Sequence, residues 1–161
     1  MDTQQRENIG QLYRELYPSL LQYAQSRLGT QGHAEEAVQE TFRIACAKAD
    51  DLLKSSNPRG WLLNTLKYTL QNMIRSMDTD HRLLSNYLKT QPQRVCYTEN
   101  GVRLELEYGS ISELEEFKLI KEFSVEQKSC LEIARSRGIT LNACKKRLQR
   151  AREILREKIN L

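Results

Sequence analysis

Residues 129–152 read SCLEIARSRGITLNACKKRLQRAR and predict two helices joined by a glycine-bearing turn. Ser129 and Glu132 have the spacing of a capping box, in which both side chains accept hydrogen bonds from backbone N–H groups at a helix start. Gly138 suits a left-handed turn, and Thr140 can cap the second helix. Three- and four-residue steps then give that helix an apolar face: Leu141, Cys144, Leu148, Ala151 and Leu155.

The remaining faces of the second helix are basic, and this order of elements is typical of a helix-turn-helix. Its second helix is narrow enough for the major groove of DNA. A helical hairpin with a solvated basic surface is the alternative interpretation. We expect the DNA contacts to come from the cap, one amide and the cations of the second helix: Thr140, Asn142, Lys145, Lys146, Arg147, Arg150 and Arg152.

Charge alternates in blocks along the chain, whose overall net charge is +4. The net charge is −2 over Met1–Lys54, +4 over Ser55–Val95, −4 over Glu105–Glu122 and +6 over Ser129–Leu161. Two basic blocks separated by an acidic one predict two surfaces for a polyanion such as DNA. A charge pattern that is merely solvated is the alternative.

Composition indicates an all-α protein of 161 residues, with only 7 Gly and 3 Pro. The polar N-terminus lacks the apolar core of a signal peptide, and no apolar run approaches the roughly 20 residues that span a bilayer. The four cysteines lack metal-ligand spacing, and the chain has no Gly-rich phosphate loop. We therefore expect a cytoplasmic protein with reduced, mostly buried thiols, no metal, no cofactor and no catalytic residues.

The N-terminal half predicts three helices from the repeat of its apolar residues. The first covers Ile9–Leu28, with a kink or a fresh start at Pro18. The second covers about Ala34–Leu53. The third runs from Trp61 to about Met77, with Asn57-Pro58 as its cap and first residue. Trp61 could stack on a base, but a lone Trp that opens an amphipathic helix more often belongs to the core.

Periodicity fades from about Asp78 to Gly109, where turn signals and a weak strand signal at Val102–Leu106 replace it. Helices resume near Ser110 or Ser112, each of which can open a capping box. We predict an all-α fold of two small helical domains, residues 1–77 and 110–161. The flexible linker 78–109 joins them, and the second domain is the helix-turn-helix.

The C-terminal stretch resembles the DNA-binding end of extracytoplasmic-function (ECF) sigma factors of the sigma-70 family. The resemblance lies in Glu132-Ile-Ala134, Gly138-Ile-Thr140 and the segment Lys145–Arg152. Two N-terminal motifs support it in the right order. Residues 34–42, AEEAVQETF, resemble the family's AEDLVQETF helix, and residues 61–67, WLLNTLK, resemble its WLxxIAR helix.

Three features depart from the family pattern. Tyr68 stands where the family usually has Asn, and Asn72 stands where it usually has Asp. The Leu-Pro opening that is common before the last domain is missing, and Ile111-Ser-Glu113 replaces it. These departures bear on which promoter sequences are preferred and on where the second domain starts.

The resemblance implies an alternative sigma factor that binds core RNA polymerase and directs promoter recognition, promoter melting and transcription initiation. Residues 1–77 would be a region 2-like domain for the polymerase and the −10 element, and residues 110–161 a region 4-like domain for the −35 element. The implied polymerase contacts are Gln39, Glu40, Phe42 and Arg43. The implied −10 contacts are Ser55, Ser56, Asn57, Arg59, Lys67, Gln71, Asn72 and Arg75. An anti-sigma factor is a further implied partner, and we expect a monomer outside the holoenzyme with no membrane association.

Three other functions compete with this one. A free-standing, dimeric helix-turn-helix regulator explains the C-terminal motif but neither N-terminal motif. A sigma-like adaptor that binds only protein predicts no salt-sensitive DNA contact by the basic helix. An RNA-binding module would need exposed aromatic side chains that stack on bases.

Overall fold

A computed structural model describes residues 1–90 and 114–160 of the chain, and this part is built from helices. The helices are α1 (Thr3–Leu28), α2 (Gln31–Ala47), α3 (Ala49–Lys54), α4 (Pro58–Thr90), α5 (Glu115–Ser124), α6 (Cys130–Arg137) and α7 (Leu141–Ile159). The chain divides into two compact units, Met1–Ser76 and Met77–Leu161. The predicted all-α fold with two helical domains is confirmed.

The first unit packs α1, α2, α3 and the N-terminal part of α4 around a core of aliphatic side chains and alanines. A capping box of Asp2 and Gln5 starts α1, in which the Gln5 N–H donates to Asp2 Oδ1 at 2.7 Å. Gly29 ends that helix in the left-handed region, with φ 73°. Pro18 lies inside α1, so the helix has no fresh start there. The most deeply buried core residues are Ala24, Ala34, Ala37, Val38, Ala45, Leu52, Leu62 and Leu66.

The predicted second helix is two helices in the structure, because the backbone leaves the helical region at Lys48 (φ −115°, ψ 40°). Hydrogen bonds continue across the break: the Lys48 N–H donates to Ile44 O at 2.9 Å and the Leu52 N–H donates to Lys48 O at 3.1 Å. A break of one residue that keeps its hydrogen bonds leaves no Gly or Pro signal in the sequence. Cys46 is exposed on α2, although the sequence analysis expected mostly buried thiols.

Helix α4 starts where the sequence predicted and ends later in the chain than the sequence predicted. Asn57 caps it, since its Oδ1 accepts a hydrogen bond from the Gly60 N–H at 3.0 Å, and Pro58 is the first helical residue. The helix continues to Thr90 instead of ending near Met77. Residues 78–90, which the sequence analysis assigned to the linker, are therefore helical. Three of their apolar side chains are buried in the core of the second unit, and this burial stabilises the helix. Residues 91–109 of the predicted linker, its weak strand, and Ser110 and Ser112 lie outside the described residues.

The second unit packs α5, α6, α7 and the C-terminal part of α4 around one apolar core. Its members include Leu83, Leu84, Tyr87, Phe117, Ile120, Ile133, Cys144, Leu148 and Leu155. The Ser129–Glu132 capping box is present, with the Ser129 N–H donating to Glu132 Oε2 at 2.8 Å. Gly138 closes α6 in the left-handed region, with φ 64°. These local features are the helix-turn-helix predicted from residues 129–152.

Candidate nucleic-acid interface

Helix α7 exposes most of the residues that the sequence assigned to DNA. Its buried side consists of Cys144, Leu148, Ala151 and Leu155. Asn142, Lys145, Lys146, Arg147 and Arg150 are exposed. Four cations and the Asn142 amide therefore reach solvent from the first three turns of the helix. This arrangement can neutralise phosphates and can present donors to base edges.

The exposed residues of α7 lie on two sides of the helix. At about 100° per residue, Lys145 falls on one side of the buried stripe and Arg147 on the other. Asn142, Lys146 and Arg150 lie on the face opposite the stripe, with Asn142 toward Lys145 and Arg150 toward Arg147. Arg147 and Arg150 line a groove beside α5 whose other polar residues are Glu115, Glu116 and Arg137. The nearby carboxylates lower the positive potential on that side. The strongest attraction for a polyanion is therefore expected along the Asn142 side.

Arg152 does not belong with these exposed residues, and its assignment to DNA is wrong. Its Nε and Nη2 donate to Asp80 Oδ1 and Oδ2, both at 2.8 Å, and its guanidinium lies 5.6 Å from the centre of the Phe123 ring. A sequence signal existed, because Leu148 and Leu155 lie four residues before and three after Arg152 and share its side of the helix. No feature of the sequence marked Asp80 as the partner.

Thr140 contributes to the start of α7 as a cap. Its Oγ1 accepts a hydrogen bond from the Ala143 N–H at 3.1 Å, which satisfies one of the backbone donors left open at a helix start. The side chain is exposed. Capping fixes the direction in which Asn142 and Lys145 leave the turn, so Thr140 supports the interface whether or not it touches DNA.

The loop before α4 uses two of the predicted −10 residues for its own structure. Asn57 is the helix cap, and the Oγ of Ser55 accepts from the Asn57 N–H at 3.2 Å. Gly60 leaves room for the cap, since a Cβ there would lie 2.5 Å from Asn57 Nδ2. Arg59 is exposed and its Nη2 lies 3.4 Å from Glu15 of α1. Ser56 is exposed.

The N-terminal part of α4 carries a polar face that contains the remaining −10 candidates. Lys67, Gln71, Asn72 and Arg75 are all exposed. They lie within an arc of about 140° at 100° per residue. Trp61, at the start of the helix, is half-buried and packs against the first core, as the core interpretation predicted. The polar face also carries an exposed aromatic residue, Tyr68, which the sequence analysis noted only as a departure from the family pattern.

Helix α2 separates its four predicted polymerase contacts into two environments. Gln39 and Arg43 are exposed, and Glu40 is half-exposed. Arg43 Nε and Nη2 donate to both carboxylate oxygens of Glu40 at 2.8 and 2.6 Å, and this hydrogen bond and the charge of Glu40 raise the pKa of Arg43. Phe42 is 6% exposed and its ring meets that of Tyr13 edge-on, with centroids 4.8 Å apart. Phe42 is a core residue, so its assignment as a polymerase contact is wrong.

The described residues hold no cluster of three or more His, Cys, Asp and Glu side chains that could bind a metal ion. Within the same ranges, no helix is long and apolar enough to cross a membrane.

A comparison with protein-family models found a match in the N-terminal half of the chain. Residues 12–79 match the family model of sigma-70 region 2. The region 2 match begins in α1 and ends within α4, so it includes the exposed surface of α2, the loop before α4 and the polar face of α4. Helices α5, α6 and α7 lie outside the matched range.

Among solved structures, the chain is similar to the sigma factor RpoE of Bartonella quintana, which was crystallised in complex with the anti-sigma factor NepR. The two chains are 23% identical over 96% of this chain and 98% of that one, with a TM-score of 0.42. This likeness is too distant to assign a role to any residue. Among curated protein sequences, none matches the chain.

Proposed function

We propose that this protein is an alternative sigma factor of the sigma-70 family, of the ECF type. In this proposal it binds core RNA polymerase, recognises two promoter elements and directs melting of the DNA at the downstream one. The match of residues 12–79 to sigma-70 region 2 carries the proposal. The helix-turn-helix of residues 129–152, with its exposed cations, supports it, because it offers a second basic surface for DNA.

The first unit would hold the polymerase and the downstream element. Exposed Gln39 and Arg43, with half-exposed Glu40 paired to Arg43, form a polar patch on α2 that suits a protein partner. The loop before α4 and the polar face of α4 would follow the unpaired strand. Lys67 and Arg75 offer cations for its phosphates, and Gln71 and Asn72 offer amides for base edges.

The second unit would hold the upstream element in the major groove. Recognition helices generally enter the groove by their N-terminal end, so Asn142 and Lys145 would lie nearest to base edges. An Asn amide pairs with adenine and a Lys ammonium with guanine. Arg147 and Arg150, on the other side of α7, would contact phosphates and position the helix without reading sequence.

The remaining partners and the compartment follow from this role. Catalysis would belong to the polymerase, and the protein would act in the cytoplasm on chromosomal promoters. An anti-sigma factor is the partner that the family resemblance implies for its control.

Transcription in vitro with purified core polymerase and a genomic promoter library tests the proposal. We expect the wild-type chain to direct initiation at a defined set of promoters that core polymerase alone does not use. Asn142→Ala and Lys145→Ala should change that set. Arg156→Ala is the matched control, because Arg156 is an exposed cation about four turns beyond Asn142 on the same helix.

Two outcomes would favour the other functions. DNA binding as a dimer, without core polymerase and without initiation, would point to a free-standing helix-turn-helix regulator. Stable binding to core polymerase without promoter-specific initiation or salt-sensitive DNA contact would point to an adaptor.

A further inference from the structure

The end of α4, residues 77–90, is held in the second unit. Leu83, Leu84 and Tyr87 are buried in the core of that unit. Asp80 is 1% exposed, and both of its carboxylate oxygens accept hydrogen bonds from Arg152 of α7 at 2.8 Å. These contacts attach the α4 end (residues 77–90) to the helix that carries the proposed upstream DNA surface.

The docked α4 end limits how far apart the two proposed DNA surfaces can be. Arg75, the last −10 candidate, precedes Asp80 by five residues, which span at most about 18 Å when fully extended. Asn142 precedes Arg152 by ten residues of helix, or about 15 Å. The Asp80–Arg152 pair adds roughly 10 Å between the two backbones. With the side chains at both ends included, the reach from Arg75 to Asn142 is at most roughly 55 Å for any arrangement of the two units.

Promoter elements at −10 and −35 are farther apart than this limit. Their centres are about 25 base pairs apart, which is about 85 Å of duplex at about 3.4 Å per base pair. Subtracting about three base pairs at the facing edge of each element leaves about 65 Å. Bending the duplex smoothly by about 90° shortens the straight-line distance by only about a tenth. A chain with a docked α4 end can therefore bind either element but not both.

We propose that the docked α4 end is an autoinhibitory contact, which must leave the second unit before one molecule can occupy both promoter elements. This inference rests on the proposed function and adds a regulatory step to it. Once the α4 end is released, residues 77–113 join the two DNA-binding parts of the chain. A chain of that length can span up to about 120 Å, which is more than the two elements require.

Promoter binding provides the free energy for this release. Release exposes the apolar side chains of Leu83, Leu84 and Tyr87 and separates a buried ion pair, so the docked state is favoured in the chain without partners. A ligand shifts a two-state equilibrium by its difference in affinity for the two states. Only the released state makes both promoter contacts, so a promoter with both elements favours release.

The first test weakens the contact without changing the shape of the side chain. Asp80→Asn replaces the carboxylate by an amide. Its matched control is Glu122→Gln, because Glu122 Oε2 lies 3.3 Å from Arg137 Nη2 in the same unit and neither residue belongs to α4. The full chain is titrated into fixed concentrations of core polymerase and a promoter that has both elements, and initiation is measured.

We expect Asp80→Asn to lower the chain concentration for half-maximal initiation by at least about fivefold, because a larger fraction of the chain is released before it binds. Glu122→Gln should stay within about twofold of wild type, since it leaves the α4 end docked. A gain of function on loss of the pair distinguishes autoinhibition from a purely structural role, which predicts lower or unchanged activity.

The second test prevents release. Asp80→Cys/Arg152→Cys is prepared in a chain with Cys46→Ser and Cys96→Ser, and a short bismaleimide joins the two new thiols. The other two native cysteines are buried. We expect the crosslinked chain to initiate at least about tenfold less than the same chain without the reagent. Each new cysteine alone, treated with the reagent, is the control and should keep its activity. Hydrogen exchange in α6 and α7 checks that the crosslinked second unit is folded.

Two results would overturn the inference while the proposed function stands. One is equal initiation by the crosslinked and the untreated chain on the promoter with both elements. The other is a half-maximal concentration for Asp80→Asn that is unchanged, raised or lowered no more than that for Glu122→Gln. If the wild-type chain directs no initiation with core polymerase, the proposed function fails and the inference fails with it.

Discussion

Asp80 in the C-terminal part of α4 and Arg152 in α7 form a two-pronged ion pair inside the second unit. Both N···O distances are 2.8 Å, and the side chains are 1% and 14% exposed. Beside the pair, His81 Nε2 lies 2.8 Å from the carbonyl oxygen of Ser124. These contacts attach the end of α4 to the helix-turn-helix. Buried ion pairs add little net stability but favour one arrangement, because any other leaves the charges unpaired.

We predict that Asp80→Ala destabilises the second unit by about 3 kcal/mol, since it leaves the Arg152 guanidinium partly buried without its partner. Hydrogen exchange of the full chain should show faster exchange in α7 and unchanged exchange in α2. The double variant Asp80→Leu/Arg152→Met should recover most of the loss, because apolar replacement of both partners removes the unpaired charge. Unchanged exchange of α7 in Asp80→Ala would contradict this account.

The burial of Phe42 predicts a stability effect. Phe42→Ala should destabilise the first unit by about 3–5 kcal/mol through lost burial and the cavity left behind. Phe42→Leu should lose less. Urea unfolding followed by the fluorescence of Trp61, the single tryptophan, reports on this unit. Folded Phe42→Leu should bind core polymerase like wild type, and a clear loss of affinity in that variant would return Phe42 to the interface.

Variants of the Glu40–Arg43 pair can distinguish a role in stabilising α2 from a role in binding core polymerase. Arg43→Glu should weaken core polymerase binding in a pull-down titration, while helix stability falls by only about 0.5 kcal/mol. The charge-swapped variant Glu40→Arg/Arg43→Glu restores the pair within the helix. We expect its affinity for polymerase to stay low, because a partner surface reads the position of each charge. Full recovery on swapping would assign the pair to helix stability alone.

The two sides of α7 predict two kinds of DNA-binding defect in the holoenzyme. Arg150→Ala should weaken all promoters alike and lower the slope of log affinity against log salt by about one unit. Asn142→Ala should lose about 1–3 kcal/mol at one base position and relax the preference there. Arg156→Ala should match wild type in both measurements. If Arg150→Ala changes the base preference at one position and Asn142→Ala weakens all promoters alike, the assignment of the two sides must be reversed.

Replacement of glycine by alanine should have opposite effects on stability at Gly138, in the turn of the helix-turn-helix, and at Gly10, inside α1. Gly138→Ala should destabilise the second unit by about 1–2 kcal/mol, because φ is 64° there and an L-residue is disfavoured in the left-handed region. A Cβ at Gly138 meets no atom within 4 Å, so the effect is purely conformational. Gly10→Ala, inside α1, should stabilise the first unit by about 0.5–1 kcal/mol. Thermal unfolding and hydrogen exchange measure the stability change in both variants. A change of the same sign in the two variants would contradict the prediction.

Much of the second unit could be predicted from residues 129–152, because the features that form it act over short distances. The Ser129 capping box, the left-handed Gly138 and the Thr140 cap each involve groups within four residues of one another. The exposed side of α7 follows from the spacing of its apolar residues. The cap at Asn57 and Pro58 has the same local origin.

By itself, the sequence determined the helical class, the helix-turn-helix and the basic surfaces, because these depend on helix propensity, capping and periodicity. Only the tertiary structure decided where α4 ends, where Arg152 points and that Phe42 is buried. Each depends on groups distant in sequence: Arg152 and its partner Asp80 are 72 residues apart. The apolar residues at the end of α4 form a helix face only because a core from the other end of the chain covers them. The spacing of apolar residues shows which side of a helix is apolar. Packing between segments distant in sequence decides which residues that side contacts.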